Sequence, residues 1–186
     1  EELLDWEAED ALLLSVLTPL WTQSLTEGFT TVNVLFEFGL TEELVQPAFQ
    51  EWIRDYGADR VNGINDTTKQ ALRDALSEGI ADGEGIPKLR DRVSVVMTDA
   101  KGYRATLIAR TETMTTVNYG TLKTYQSANV QQKEWLSQID NRTRQAHVAL
   151  NGEVVGIDQP FSNGLQYPQE PNCRCTILPV LPELML

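Results

Sequence analysis

The feature that most constrains this chain is a change of periodicity near residue 129. Before it, apolar residues recur at three- and four-residue spacing, the repeat of a helix face. After it, short alternating or β-branched runs are separated by Gly, Pro and Asn, the punctuation of strands and turns. A chain of 186 residues holds one ordinary domain, or a small domain with a helical extension. The expected class is α+β. An acidic helical appendage covers 1–60, a helical region covers 61–129, and a small α+β module covers 130–186.

The helical part divides at its breakers. Leu3, Leu4, Ala8, Ala11, Leu12 and Val16 fall at helical spacing behind a run of carboxylates, which favour a helix N-terminus. Pro19 should kink or stop that helix, because it lacks an N–H and clashes with the preceding turn. Trp21, Leu25 and Phe29 recur every four residues, so a helix is expected there too, although "TVNVLFEF" also looks strand-like. Thr41 is a candidate cap with Glu42 and Glu43 behind it, and Pro47 can mark a second start. Phe49, Trp52, Ile53 and Tyr56 form one apolar face. A separate helix is expected to start at an Asn65 or Asp66 cap and break at Gly83. Another starts at Pro87, and a longer one with a polar middle covers 103–128.

In the module, 130–139 reads as a strand, 143–150 as two helical turns, and 151–157 as a turn leading into a strand. An irregular loop follows over 156–172, and "CRCTILPVL" closes the module as a strand.

The net charge of −12 is unevenly spread. Residues 1–60 carry 13 Asp and Glu against 2 Arg, while 61–186 carry 14 acidic and 13 basic residues. An acidic N-terminal third repels phosphate, so non-specific duplex binding there is disfavoured. Arg142, Arg144 and Arg174 form the one expected basic patch, which supports weak, salt-sensitive DNA contact at most. No apolar run approaches the roughly 20 residues that span a bilayer. No basic n-region marks a signal peptide.

The single histidine, His147, and the two cysteines, Cys173 and Cys175, all fall in the last quarter. A bridge across Cys-x-Cys would close a small, strained ring, so the chain is not expected to rest on a disulfide. In an extended segment both thiols point the same way, because side chains alternate with period two. Two thiolates and an imidazole make three ligands suited to zinc, with Asp140 or a water as the fourth. The competing reading is a reduced, buried pair beside a hydrogen-bonded histidine. Asp140, Arg144 and His147 share a face if their helix begins by Asp140; otherwise Asp140 is a cap. In "ARTET", Arg110 and Glu112 lie two apart, on different faces. Structural pairing of Arg110 with Asp140, or of Glu112 with Arg142, is expected over catalysis. No phosphate-cradling loop, nucleophile elbow or HExxH motif is present.

These pieces come in a recognisable order. Ala109 to Glu112, Trp135, Asp140, Arg142, Thr143, Arg144, His147, Gly152 and Asn172 to Cys175 together resemble the phage Mu F-like head morphogenesis family. The resemblance covers about 103–176. It implies a minor head protein of a tailed phage, placed in the virion near the portal and in the host cytoplasm during assembly. Its implied partners are portal or capsid proteins, or further copies of itself, with no membrane. It implies a role in head assembly and in some members in DNA packaging or ejection; no enzymatic activity is expected, and no cofactor beyond the zinc considered above. The alternative is a metal-dependent nuclease or transferase using Asp140, His147 and Glu112. The sequence favours the structural role, because it lacks the repeated carboxylate or histidine sets that catalytic metals need. His147, Cys173 and Cys175 are expected to meet in space and hold a corner of the module closed.

Overall fold

The computed structural model describes residues 5–181, apart from the side chains at 58 and 101. Leu3 and Leu4 of the apolar series, and residues 182–186 of the module, lie outside it. Four long helices come first: α1 (Trp6–Leu35), α2 (Gln46–Ala81), α3 (Ile86–Lys101) and α4 (Tyr103–Ser127). Then come β1 (Gln132–Leu136), the short α5 (Gln145–Leu150), β2 (Val154–Gly156) and β3 (Thr176–Val180). The class is α+β. β1 is the central strand of an antiparallel sheet of order β2-β1-β3, with Trp135 opposite Ile177 and Lys133 opposite Val155.

Two expected breaks do not occur. α1 does not stop at Pro19 but continues to Leu35. An interior proline costs about 3 kcal/mol, but Leu17 before it and Trp21 and Leu25 after it are buried. Each such side chain contributes roughly 1.5–3 kcal/mol on burial, so packing outweighs the lost hydrogen bond. Likewise Asn65 and Asp66 are not caps but lie inside one continuous α2. Asn65 is occupied there, donating to Asp10 Oδ1 at 2.6 Å. The break at Gly83 is real: the glycine has φ +68°, a left-handed conformation that costs other residues energy.

The described chain forms two compact units, each built from two segments. One comprises residues up to Pro19 with Trp52–Ala109. There Arg104 joins Thr68 and the Ile64 carbonyl, and Arg92 pairs with Glu78, Asp82 and Glu84 across the α2–α3 turn. The other comprises Leu20–Glu51 with Arg110 onward. Trp21, Leu25, Phe29 and Val32 of α1 are buried in it, confirming the helical spacing read from sequence. Two glycines set the α1–α4 approach. A Cβ on Gly120 would stand 2.5 Å from the Leu25 carbonyl oxygen, and one on Gly28 would stand 2.3 Å from that of Val117. Only glycine permits backbones this close.

The core of this unit continues into the sheet through Tyr125, Val130, Trp135, Leu150, Phe161 and Ile177. Trp135 is fully buried and meets Phe161 edge-on, with ring centroids 5.1 Å apart. Lys133 points to the same face of β1 and is also fully buried. Its ammonium donates to the Ile157 carbonyl at 2.6 Å and to Gln166 Oε1 at 2.9 Å. Burial lowers its pKa to about 8, against 10.5 in the free side chain.

Two measurements test this packing. Gly120→Ala should cost about 1–3 kcal/mol in urea denaturation, the usual range for overpacking. The second concerns pH. Between about 8 and 10.5 the unfolded chain holds a Lys133 proton that the folded chain has released, so this residue makes stability rise with pH. The stability difference between wild type and Lys133→Met should move in favour of wild type across pH 8–10, by up to about 3 kcal/mol at 1.36 kcal/mol per pH unit. A flat difference would show that Lys133 titrates as a solvated lysine.

Candidate metal centre

The site begins with a polar face on α4. Thr111, Thr115 and Asn118 lie four and three residues apart, on one side of the helix, and all three are buried. Burial of such groups requires partners, and they find them in the arm from 168 to 176. Asn118 donates from Nδ2 to the carbonyls of Pro168 and Cys175, both at 3.1 Å. Its Oδ1 accepts from Thr176 Oγ1 at 2.8 Å. The Asn172 N–H donates to Thr111 Oγ1 at 3.0 Å. Asn172 itself has φ +57°, a left-handed conformation that asparagine tolerates better than most residues. The arm is therefore tied to α4 at both ends of its turn, and Cys173 and Cys175 project inward from it.

Both cysteines are free and buried. His147 on α5 is buried too, and its Nδ1 stands 3.4 Å from each sulfur. The three ligand atoms lie within 4.8 Å of one another. Cys173 and Cys175 thus point to the same side, as the period of an extended segment requires. The other ring nitrogen, Nε2, is hydrogen-bonded to the Glu170 carboxylate. That bond places the ring proton on Nε2 and leaves the Nδ1 lone pair facing the sulfurs.

The surroundings hold these groups in place. The Cys175 N–H donates to Cys173 Sγ at 3.4 Å, and Ser137 Oγ lies 3.6 Å from Cys175 Sγ. Ser137 accepts from Trp135 Nε1 at 3.0 Å and donates to the His147 carbonyl at 2.6 Å. The Cys175 thiol is pulled down to about 5, chiefly by its hydrogen bond with Cys173. The Cys173 thiol is pushed up by the same bond and by burial. One proton is in effect shared by the pair.

Other expected members stand elsewhere. Asp140 does not join this cluster. It forms a two-pronged ion pair with Arg174, each contact 2.6 Å, and accepts from the Arg142 N–H at 2.9 Å. These contacts, the Arg174 bonds foremost, hold its carboxyl far below the usual range. α5 starts only at Gln145 with Arg144 as its N-cap, so Asp140 and His147 share no helix face. Neither expected pairing of the "ARTET" residues forms through Asp140 or Arg142. Glu112 is fully buried and accepts from Trp21 Nε1 at 3.1 Å, and Arg110 is exposed. Asp140, His147 and Glu112 are not brought together: among the described residues, the metal-capable cluster is His147 with the two cysteines.

Beside the cluster lies a cleft of about 220 Å³. Arg142, Arg144 and Arg174 line it with Gln138, Thr143, Asn172, His147, Cys173 and Cys175. The expected basic patch thus exists as a lining, but it is largely engaged. Arg174 is held by Asp140, and Arg144 donates to the Pro171 carbonyl and lies 3.9 Å from Glu170.

A helical scaffold carrying a small antiparallel sheet, closed by a buried His–Cys–Cys corner, defines the class of module. The chain belongs to the family described as Phage Mu protein F like protein, which matches residues 70–178. It is 25% identical over 192 residues to the uncharacterised protein YqbB of Bacillus subtilis, covering 88% of this chain and 62% of that one. It is 28% identical over 121 residues to the minor head protein GP7 of Bacillus phage SPP1, covering 58% of this chain and 39% of that one. It is 29% identical over 137 residues to the NAD(+)–arginine ADP-ribosyltransferase EFV of Enterococcus faecalis, covering 66% of this chain and 28% of that one. The chain therefore spans less than two thirds of each of these relatives. No solved structure matches it.

Sequence reasoning missed Glu170, Ser137 and the α4 ladder. The ladder had a signal: Thr111, Thr115 and Asn118 form a helix-spaced stripe in which polar residues take core positions. Asn118→Ala should cost about 1–3 kcal/mol in denaturant unfolding, because it strands the Pro168 and Cys175 carbonyls. The loss should appear in the intrinsic tryptophan fluorescence transition, since the arm packs on the core that buries Trp135.

Proposed function

We propose that this chain is a minor head protein of a tailed phage, acting in head assembly by docking on portal or capsid proteins. The family membership carries the reading, together with the likeness to a relative named as a minor head protein. The chemistry agrees. The module's polar side chains are spent on one another: within the described residues no buried side-chain nitrogen or oxygen lacks a partner. Arg144 and Arg174 of the cleft are engaged and Arg142 is left exposed, so DNA contact would be weak and lost in moderate salt. α1 supplies apolar surface for a protein partner, with Leu12 60% and Val16 62% exposed four residues apart on one face. A part in packaging or ejection would follow from a place beside the portal.

The transferase reaction belongs to the Enterococcus protein, of which this chain matches 28%. We assign this chain no catalytic step, since Glu112 is occupied in the core and Asp140 by Arg174.

Removing residues 1–60 would be a poor test, because Trp21, Leu25 and Phe29 lie in the module's own core. Surface changes are cleaner. In the phage that encodes the chain, wild type should co-purify with heads. Leu12→Glu/Val16→Glu should fold normally by circular dichroism yet be incorporated at least about tenfold less, a loss of about 1.4 kcal/mol or more in docking. Absence of the wild-type chain from purified heads would overturn the reading. Undiminished incorporation of the double variant would remove α1 as the docking face.

A further inference from the structure

We propose that His147, Cys173 and Cys175 bind one Zn²⁺, with the fourth coordination position open to the arginine-lined cleft. The argument starts from distance. Zinc–sulfur bonds of about 2.3 Å and zinc–nitrogen bonds of about 2.0–2.1 Å, set at a tetrahedral angle, put ligand nitrogen and sulfur roughly 3.5 Å apart. His147 Nδ1 stands 3.4 Å from both sulfurs. Both nitrogen–sulfur edges of a zinc tetrahedron are thus already at length, and all three ligand atoms lie within 4.8 Å of one another.

The direction of the lone pair points the same way. A neutral imidazole has one lone pair on its unprotonated nitrogen, and it can accept one thiol proton well. Here two sulfurs sit at equal distance from it, an arrangement one metal ion satisfies and one hydrogen bond does not. The ring is also oriented as metal-bound histidines are. Glu170 accepts from Nε2, the carboxylate–histidine pairing that fixes the tautomer and raises ligand basicity. The Cys175 N–H is aimed at Cys173 Sγ, and the Arg144 and Arg174 side chains line the cleft beside the pair. Two sulfurs and one nitrogen select a borderline-soft ion over magnesium or calcium.

Asp140, taken by Arg174, leaves the fourth corner to solvent or an anionic donor entering the cleft. No carboxylate lines that cleft to act as a general base; Glu170 stands on the far side of the imidazole. The ion would be a clasp. It would join α5 to the arm across 26 and 28 residues of chain, where regular structure is limited to the end of α5 and β2. Closing such a loop in a small module contributes directly to folding.

The test uses the full chain, purified under reducing conditions, equilibrated with zinc and then desalted. We expect one zinc per chain by elemental analysis. Replacement by Co²⁺ should give a thiolate-to-metal charge-transfer band and the strong visible absorption of a tetrahedral site. Adding thiocyanate should shift that absorption if the fourth position is open; an unchanged spectrum would overturn the open corner. Cys173→Ser and His147→Ala should abolish stoichiometric binding. Because those variants remove the clasp itself, Glu170→Gln provides a milder probe: its ligands are intact, and zinc affinity should fall about 10–100-fold. A chain that is folded by circular dichroism but takes up neither zinc nor cobalt would overturn the proposal, whether its cysteines are free or joined.

Discussion

The grip of α4 on the arm from 168 to 176 is the contact on which the rest of the module depends. Asn118, itself fully buried, satisfies two carbonyls and a hydroxyl across 50 or more residues of chain. A segment rich in Pro, Gly and Asn has little helical or sheet bonding of its own, so its shape must be imposed from outside. Thr111 and Asn118 impose it. With the arm fixed, Cys175 leads directly into β3, and β3 pairs with β1 to bury Trp135 and Ile177. The sheet and the cysteine corner thus share one anchor.

Polar groups in this core are arranged as a connected chain, and their value lies in direction more than in energy. Trp135 donates to Ser137, and Ser137 donates to the carbonyl of His147. The imidazole meets the Trp135 ring edge-on, with centroids 5.7 Å apart. The histidine is therefore held from its backbone, its ring face and its outer nitrogen at once. Apolar packing alone would leave several ring orientations close in energy. The network selects the one that turns Nδ1 to both sulfurs. Lys133 plays a comparable part beside it, holding the Ile157 carbonyl and Gln166 against the strand.

Much of the fold was legible because its signals are local. The four-residue spacing of Trp21, Leu25 and Phe29 identified their helix, and Gly83 identified the end of α2 through its backbone freedom. The period of two placed Cys173 and Cys175 on one side. Proline and asparagine misled at Pro19 and Asn65, where tertiary burial overrode local preference. Within the site, His147 and the cysteines were legible because they are few and their chemistry is narrow. Asp140 was not, because its choice of Arg174 over Arg142 or Arg144 is made between chain segments. Compact units assembled from two segments each were not legible either, since composition changes along the chain and contacts do not.

The sequence by itself determined the α+β class, the order of helices and strands, and the three residues able to form a soft metal corner. Those follow from periodicity, backbone restriction and ligand chemistry, which act within a few residues. Only the tertiary structure decided that Glu170 would be the partner of His147, that Glu112 would be spent on Trp21, and that Asn118 would hold the arm. The reason is physical. A buried polar group must find a partner wherever the packed backbone supplies one, and that location is set by the approach of helices and strands distant in sequence.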